Sequence, residues 1–467
     1  MRQRFGWFTV AFGVLSVSIS PAGAQEVDPP PTERPPEGTA VQRFFDWTEL
    51  EFPAEEYRGR RDRLFDALEG REGAVLIPSG HGLSHGETFR QANDFLYFTG
   101  LELPGSVLIL DIPSRRATIF VPEQDFRFHD QARPNDFPGR PLLGDTLLAS
   151  VSGIDDFRAY DQLDVVLRAW ARNGIPVHYN PGRDGPIRRV VTTLIPDWDP
   201  ALLTLFHLQN TYPLLELVNV YEVIAYTRMV KSPREVEAIR RSIDATTASI
   251  LAAASRIRPG VTERELEAAF ESSCKLNGAQ RLAFASIIKS GPNSLWPWRI
   301  LAAHYDRRNR AMEDGDLVIF DVGCEVDYYV SDVGRTFPVA GSFSAEQRRI
   351  LELEVAVADA IISQIRPGMT FRELQTIGVS VIPFEHREYM QAGLFFGHHI
   401  GLSTGDPAIP GQTLLPGMVF TVEPWYYNHD TGISVFTEDV VLVTSDGAEV
   451  LSAALPRSPA ELEAMVP

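Results

Sequence analysis

One stretch of eleven residues occurs twice in this chain. Ile257-Arg-Pro-Gly-Val-Thr-Glu-Arg-Glu-Leu-Glu267 returns as Ile365-Arg-Pro-Gly-Met-Thr-Phe-Arg-Glu-Leu-Gln375, with eight of eleven positions identical. In both copies a helix ends at Arg-Pro-Gly and Thr-x-x-Glu caps the next one. Shared helix punctuation does not require eight identities, so the stretch reads as part of a duplication. A looser correspondence follows. Gly315-Asp-Leu-Val-Ile-Phe-Asp321 resembles Gly417-Met-Val-Phe-Thr-Val-Glu423: a glycine, an apolar strand, then a carboxylate. Aromatic residues, a second strand and another acid come next, Asp332 in the first half and Glu438 in the second. Two such halves, facing each other across a pseudo-twofold axis, would gather four carboxylates at one point.

Asp321 and Glu423 each end an apolar run of the kind that forms a buried central strand. A charge left unpaired in a dry core costs several kcal/mol. Basic partners are scarce here: Arg335 is the nearest, and no Lys or Arg lies between Gly397 and Ser452. Four acids without four cations point to divalent metal rather than to salt bridges. Phe396-Gly-His398-His399-Ile-Gly-Leu402 adds a histidine in an apolar, glycine-flanked stretch. Four carboxylates and one imidazole make a hard, oxygen-rich set with too many ligands for one zinc tetrahedron. They suit two divalent ions ~3.5–4 Å apart that share acids and a bridging water. The implied chemistry is metal-assisted hydrolysis of an amide.

The rest of the chain sets the frame. Its 467 residues make roughly two to three domains on length alone. The 62 acidic against 43 basic side chains give a net charge of −19, the wrong sign for a nucleic-acid binder or for an anionic membrane surface. Residues 1–24 read as a secretory signal: Arg2 and Arg4, an apolar run from Phe5 to Ile19, then Ala22-Gly23-Ala24 before Gln25. The expected product is exported, periplasmic or extracellular, and free of the membrane after cleavage. Residues 25–40 read as a Pro-rich tether. Residues 41–220 alternate strand-like and helix-like runs, as in one α/β domain. From Tyr221 a second regime begins, and Ser232-Pro-Arg-Glu235 opens a long helix with a capping box. This second regime spans residues 221–467. Cys274 and Cys324 read as buried small hydrophobes rather than nucleophiles, with a pairing between them left open.

Asp321-Val-Gly-Cys-Glu325, Ser331-Asp-Val-Gly-Arg-Thr-Phe-Pro338, Gly397-His-His-Ile-Gly-Leu402, Pro416-Gly-Met-Val-Phe-Thr-Val-Glu-Pro424 and Thr437-Glu-Asp439 together resemble the motif series of aminopeptidase P. Arg90-Gln-Ala-Asn-Asp-Phe-Leu-Tyr-Phe-Thr-Gly100 is similar to that family's N-terminal signature. The resemblance runs from about Val41 to the C-terminus. It implies an α/β (α+β) chain: a creatinase/aminopeptidase P-like N-terminal α/β domain, then a pita-bread domain with internal pseudo-twofold duplication. It also implies an aminopeptidase that hydrolyses the N-terminal Xaa-Pro bond of peptides with a metal-bridging water as nucleophile. Asp321, Asp332, His398, Glu423 and Glu438 match the metal ligands, for two divalent ions, manganese ahead of zinc or cobalt. Glu423 matches the general base, and His304 the histidine that bonds substrate near the scissile bond. Family members often form homo-oligomers through the N-terminal domain.

The departures cluster around the pocket for the residue after the cut. Gly405 replaces a second active-site histidine, Leu394 another, Phe436 an arginine and Phe284 a tyrosine. Leu295-Trp-Pro-Trp-Arg299 is an insertion, and His399 is a candidate to replace a lost polar group. The expected outcome is an active aminopeptidase with an altered pocket. A prolidase-type dipeptidase would need a clamp for a free carboxylate. A catalytically weak peptide-binding protein would have shed ligands.

Overall fold

The computed structural model describes residues 50–80, 89–122, 124–129, 138–141, 143, 146–182, 200–295, 309–390 and 397–467. The proposed signal and tether, His304, Leu394 and most of the tryptophan insertion lie outside them. No helix among the described residues is long and apolar enough to cross a membrane.

The first domain is built on apolar runs that alternate between two cores. Strands β1 (Ala74–Pro78), β2 (Val107–Asp111), β3 (Arg116–Val121), β4 (Asp156–Ala159), β5 (Val177–Tyr179) and β6 (Leu217–Asn219) form one mixed sheet in the order β4-β3-β2-β1-β5-β6. Val75, Ile77, Leu108 and Leu110 enter one core with Leu64, Phe65, Phe95 and Phe98 of helices α1 (Ala54–Ala67) and α2 (Asn93–Thr99). Ala74, Leu76, Val107 and Ile109 enter the other, with Leu163 and Leu167 of α3 (Asp161–Asn173) and Leu205 and Leu208 of α4 (Pro200–Thr211). The period of two sends alternate side chains to opposite faces, so a sheet covered on both sides reads as a continuous apolar run.

Helix α5 (Tyr221–Met229) leads into the second domain, where the duplication is physical. Helices α6 (Pro233–Ala254) and α7 (Glu263–Leu276) correspond to α8 (Ala345–Gln364) and α9 (Phe371–Val381). All four start with a capping box, at Ser232, Thr262, Ser344 and Thr370. The first helix stops three residues short of Ile257-Arg-Pro-Gly, and the third stops directly before Ile365. Both turns use a glycine with positive φ, +88° at Gly260 and +90° at Gly368, which a side chain would strain. They then make the same bonds. Gly260 N donates to Met312 O and Met312 N to Val261 O, as Gly368 N does to Leu414 O and Leu414 N to Met369 O, at 2.7–2.9 Å.

Each half supplies antiparallel strands. Strands β7 (Ile287–Ser290), β8 (Leu317–Val322) and β10 (Val333–Pro338) form one sheet, with the short β9 (Cys324–Val326) between the last two in sequence. Strands β11 (Val419–Val422), β14 (Asp439–Val443) and β15 (Ala448–Val450) form the other, and β12 (Trp425–Asn428) pairs with β13 (Ile433–Phe436). The halves join where Gly334 and Glu438 exchange backbone bonds of 3.2 and 3.0 Å.

Cys274 and Cys324 are fully buried, as read from sequence, and they form a disulfide that ties α7 to β9. Their sequence separation is 50, and cross-linking a loop of that length removes about 4 kcal/mol of unfolded-state entropy. A Cys274→Ala/Cys324→Ala variant is expected to lose stability on that scale. Its guanidinium midpoint in non-reducing buffer checks this, and an unchanged midpoint would refute it.

Candidate metal centre

Four chain segments deliver the acids. Asp321 lies within β8, Asp332 directly before β10, Glu423 directly after β11, and Glu438 at the seam before β14. Asp321, Asp332 and Glu438 are 6%, 5% and 1% exposed. His398 reaches in beside them, its Nε2 3.5 Å from both Asp332 Oδ2 and Glu423 Oε1. Ligand atoms of Asp332, His398 and Glu438 lie within 4.8 Å of one another. Asp321 and Glu423 are close enough to raise the carboxyl of Asp332 by like-charge repulsion.

The backbone aims the histidine. Thr421 N donates to His398 O (2.9 Å), and His398 N donates to Thr421 Oγ1 (3.1 Å). Gly397, at φ +151°, passes so close to this strand that an added Cβ would sit 1.9 Å from Thr421 O. His398 Nδ1 faces its neighbour's carbonyl at 3.3 Å, which favours a proton on Nδ1 and leaves the Nε2 lone pair toward the acids. Thr421 Oγ1 in turn donates to Glu423 Oε1 (3.1 Å), so one hydroxyl fixes both the histidine segment and the glutamate.

Burial dominates the electrostatics. It lifts the carboxyls of Asp332 and Glu438 well above the usual range, and the neighbouring acids lift them further. Burial likewise pushes Glu423 up to about 7 and holds His398 below the ordinary histidine value. The nearest cation is committed elsewhere. Arg335 pairs with Asp439 Oδ1 (2.8 Å) and donates to the carbonyls of Gly334, Glu438, Leu455 and Pro456. Arg457 takes the other oxygen of Asp439 at 3.3 Å. Both carboxylate oxygens of Glu438, and Oδ1 of Asp332, are buried without a hydrogen-bond donor. Such a donor-free set of oxygens beside one imidazole fits divalent metal.

The pocket residues divide. Gly405 is exposed, and a Cβ there would meet nothing within 4 Å. Phe284 is half-buried in a bend ahead of β7. His399 is 2% exposed, with its ring edge-on to Phe371 and Phe420 and neither nitrogen hydrogen-bonded. Successive side chains of an extended segment face opposite ways, so His399 belongs to the core and does not replace a lost pocket group. Phe436 is 1% exposed and packs against Gly334, so it acts as packing beneath β10 rather than as an open pocket wall.

Sequence reasoning passed over Thr421 and Asp406. Thr421 was detectable as the residue two before Glu423, on the same strand face. Asp406 carries no local signal, because both of its cationic partners lie far off in sequence. It is 6% exposed, receives Lys231 Nζ at 3.1 Å and is bound by Arg228. A half-exposed aromatic edge, Trp425 and Tyr427, continues from Glu423 along β12 with ring centroids 4.6 Å apart.

Residues 237–445 match metallopeptidase family M24, and residues 57–175 match the aminopeptidase P N-terminal domain. The chain is 28% identical to the Xaa-Pro aminopeptidase of Escherichia coli (strain K12), over 89% of this chain and 98% of that protein. It is 35% identical to the Xaa-Pro dipeptidase of Pyrococcus furiosus, over 51% of this chain and 67% of that one. The aminopeptidase PepP structure from Pseudomonas aeruginosa superposes with a TM-score of 0.72 at 28% identity, covering 89% of this chain and 98% of the other.

The raised carboxyls have a thermodynamic sign. Without metal, folded Glu423 keeps its proton at pH values where the unfolded side chain, at about 4.5, has lost it. That contribution to stability is full below about 4.5 and is lost as pH rises through about 7. Metal needs the carboxylate, so uptake should release protons and tighten as pH rises through the same range. Manganese titration calorimetry in buffers of different ionisation enthalpy counts those protons, and none released would refute the picture.

Proposed function

The chain belongs to metallopeptidase family M24, and on that premise we propose that it is an aminopeptidase of the aminopeptidase P type, cutting the N-terminal bond of peptides ahead of proline. That it is a peptidase follows from the family itself. The observation that carries the finer reading is the convergence of Asp321, Asp332, His398, Glu423 and Glu438, in which Oδ1 of Asp332 and both carboxylate oxygens of Glu438 are buried with no donor among the described residues, while Arg335 is committed to Asp439. These residues would hold two divalent ions, manganese in our reading. Bound there, the ions supply a water of lowered pKa and a Lewis acid for the scissile carbonyl.

The chain's own groups do the proton work. Glu423, at the edge of the group, would take a proton from the attacking water and pass it to the leaving nitrogen. Thr421 holds one of its oxygens, which limits the directions the carboxylate can face. The acids around the centre also provide negative charge for a free substrate amine, in keeping with cleavage at the N-terminus. The open space at Gly405 supports a pocket that is wider than the motif pattern implies.

The dipeptidase reading has one observation in its favour, the higher identity to the Pyrococcus furiosus enzyme over 51% of this chain. Against it stands the loss of basic groups that would clamp a substrate's free carboxylate. Export completes the proposal. The Cys274–Cys324 bridge supports it, because stable disulfides are rare in the cytosol. The exported protein should begin at Gln25, which N-terminal sequencing of the recovered product reads.

A peptide series H-Xaa-Yaa-Zaa with Yaa varied, plus Xaa-Pro dipeptides, tests the assignment with and without manganese. We expect manganese-dependent release of Xaa from the tripeptides and little from the dipeptides. No release in any metal overturns the enzyme reading, and faster dipeptide cleavage establishes the alternative. Glu423→Gln should lower kcat at least about 100-fold while retaining metal. A Cβ at Gly405 meets nothing within 4 Å, and Gly405→His should shift the preference among Yaa residues, whereas an unchanged profile would remove Gly405 from the pocket.

A further inference from the structure

The N-terminal signature Arg90–Gly100 has no part in the chemistry derived above, yet two of its charged side chains end on the second domain. Arg90 Nη2 donates to Leu402 O at 2.7 Å, and its Nε pairs with Glu325 Oε2 at 2.9 Å. Asp94 Oδ1 receives Arg228 Nη1 at 2.7 Å, and the other arm of that guanidinium grips Asp406. Asn180 holds the second oxygen of Asp94 at 2.7 Å. Lys231 completes a buried group of two cations, Arg228 and Lys231, and two acids, Asp94 and Asp406.

Three of these contacts, from Arg90, Arg228 and Lys231, end on one turn. His398 opens it and Asp406 closes it, with Asp406 N donating to His399 O at 3.1 Å. Gly401 O receives Val330 N at 3.0 Å, two residues before Asp332, so the same turn also touches the segment that carries a second ligand. Nothing in the turn is regular secondary structure beyond the single bridge His399 makes with Phe420. Its shape is therefore set by the groups that hold its carbonyls and its aspartate.

We infer that Arg90 and Asp94 are positioning residues for the metal centre: the N-terminal domain holds the His398–Asp406 turn in place and so fixes the imidazole against the acids. Arg90 acts on the turn directly, and Asp94 acts through Arg228. The role rests on the metal reading above and extends it to the N-terminal domain. Outer partners of metal ligands commonly govern affinity by 10–100-fold.

The test compares full-length wild type, Arg90→Met, Asp94→Asn and Arg60→Met by manganese titration and thermal unfolding. Arg60 is a buried cation that also crosses the domain interface, to Glu235 and Tyr329, but makes no bond to the turn. Arg90→Met and Asp94→Asn should weaken manganese binding about 10-fold or more, while Arg60→Met lowers the unfolding temperature and leaves affinity near wild type. Unchanged affinity in both turn variants overturns the positioning role and leaves the metal reading intact. Equal weakening in Arg60→Met also overturns it, since domain docking in general would then be responsible. A wild-type chain that takes up no manganese overturns the metal reading, and the positioning role falls with it.

Discussion

Like charges do not gather in a protein interior unless something outweighs their repulsion and their loss of water. Asp321, Asp332, Glu423 and Glu438 do gather, from four separate segments, and the chain spends its nearest arginines on Asp439 instead. Protons answer the conflict in part: burial lifts the carboxyls of Asp332, Glu423 and Glu438 above their ordinary range. A shared proton bonds one acid to the next but adds no cation to the group. The geometry makes sense as a cage that is balanced only when cationic charge of about the right size enters it.

The duplication is how a single chain can afford that convergence. Each half repeats helix, Arg-Pro-Gly turn, helix, strand and acid, and each locks its turn to the following segment with the same pair of backbone bonds. The seam at Gly334 and Glu438 then brings the second strands of the two halves side by side, which places one half's last acid beside the other's. Arg335 fastens that seam from beneath by bonding to carbonyls on both sides of it. Stability and chemistry are thus carried by neighbouring residues with opposite tasks: Asp439 is paired so that the strand holds, and Glu438 is left unpaired so that the centre can act.

Much of this was legible in the sequence because it is written in local patterns. The capping boxes at Thr262 and Thr370, the apolar strands ending in acids, and the absence of Lys and Arg between Gly397 and Ser452 are all local features of the sequence. What was not legible depends on distant partners. Sequence could not show that His399 turns into the core against Phe371 and Phe420 while His398 turns out, because adjacent histidines look alike until a strand gives them faces. The pairing of Cys274 with Cys324 was likewise undecided, since proximity across 50 residues is a product of the fold. Asp406 and Arg228, 178 residues apart, are a charge pair that only the packed domains create.

The seam also fixes an order of events. Arg335, which fastens the segment bearing Glu438, completes its donor set on the carbonyls of Leu455 and Pro456, and Arg457 finishes the neutralisation of Asp439. A chain emerging from the ribosome presents its acids one at a time, and the last fastening arrives only with residues 455–457. Until then the segment bearing Glu438 lacks donors that hold it against the strands of the first half, so the four acids are held together in full only by the finished chain.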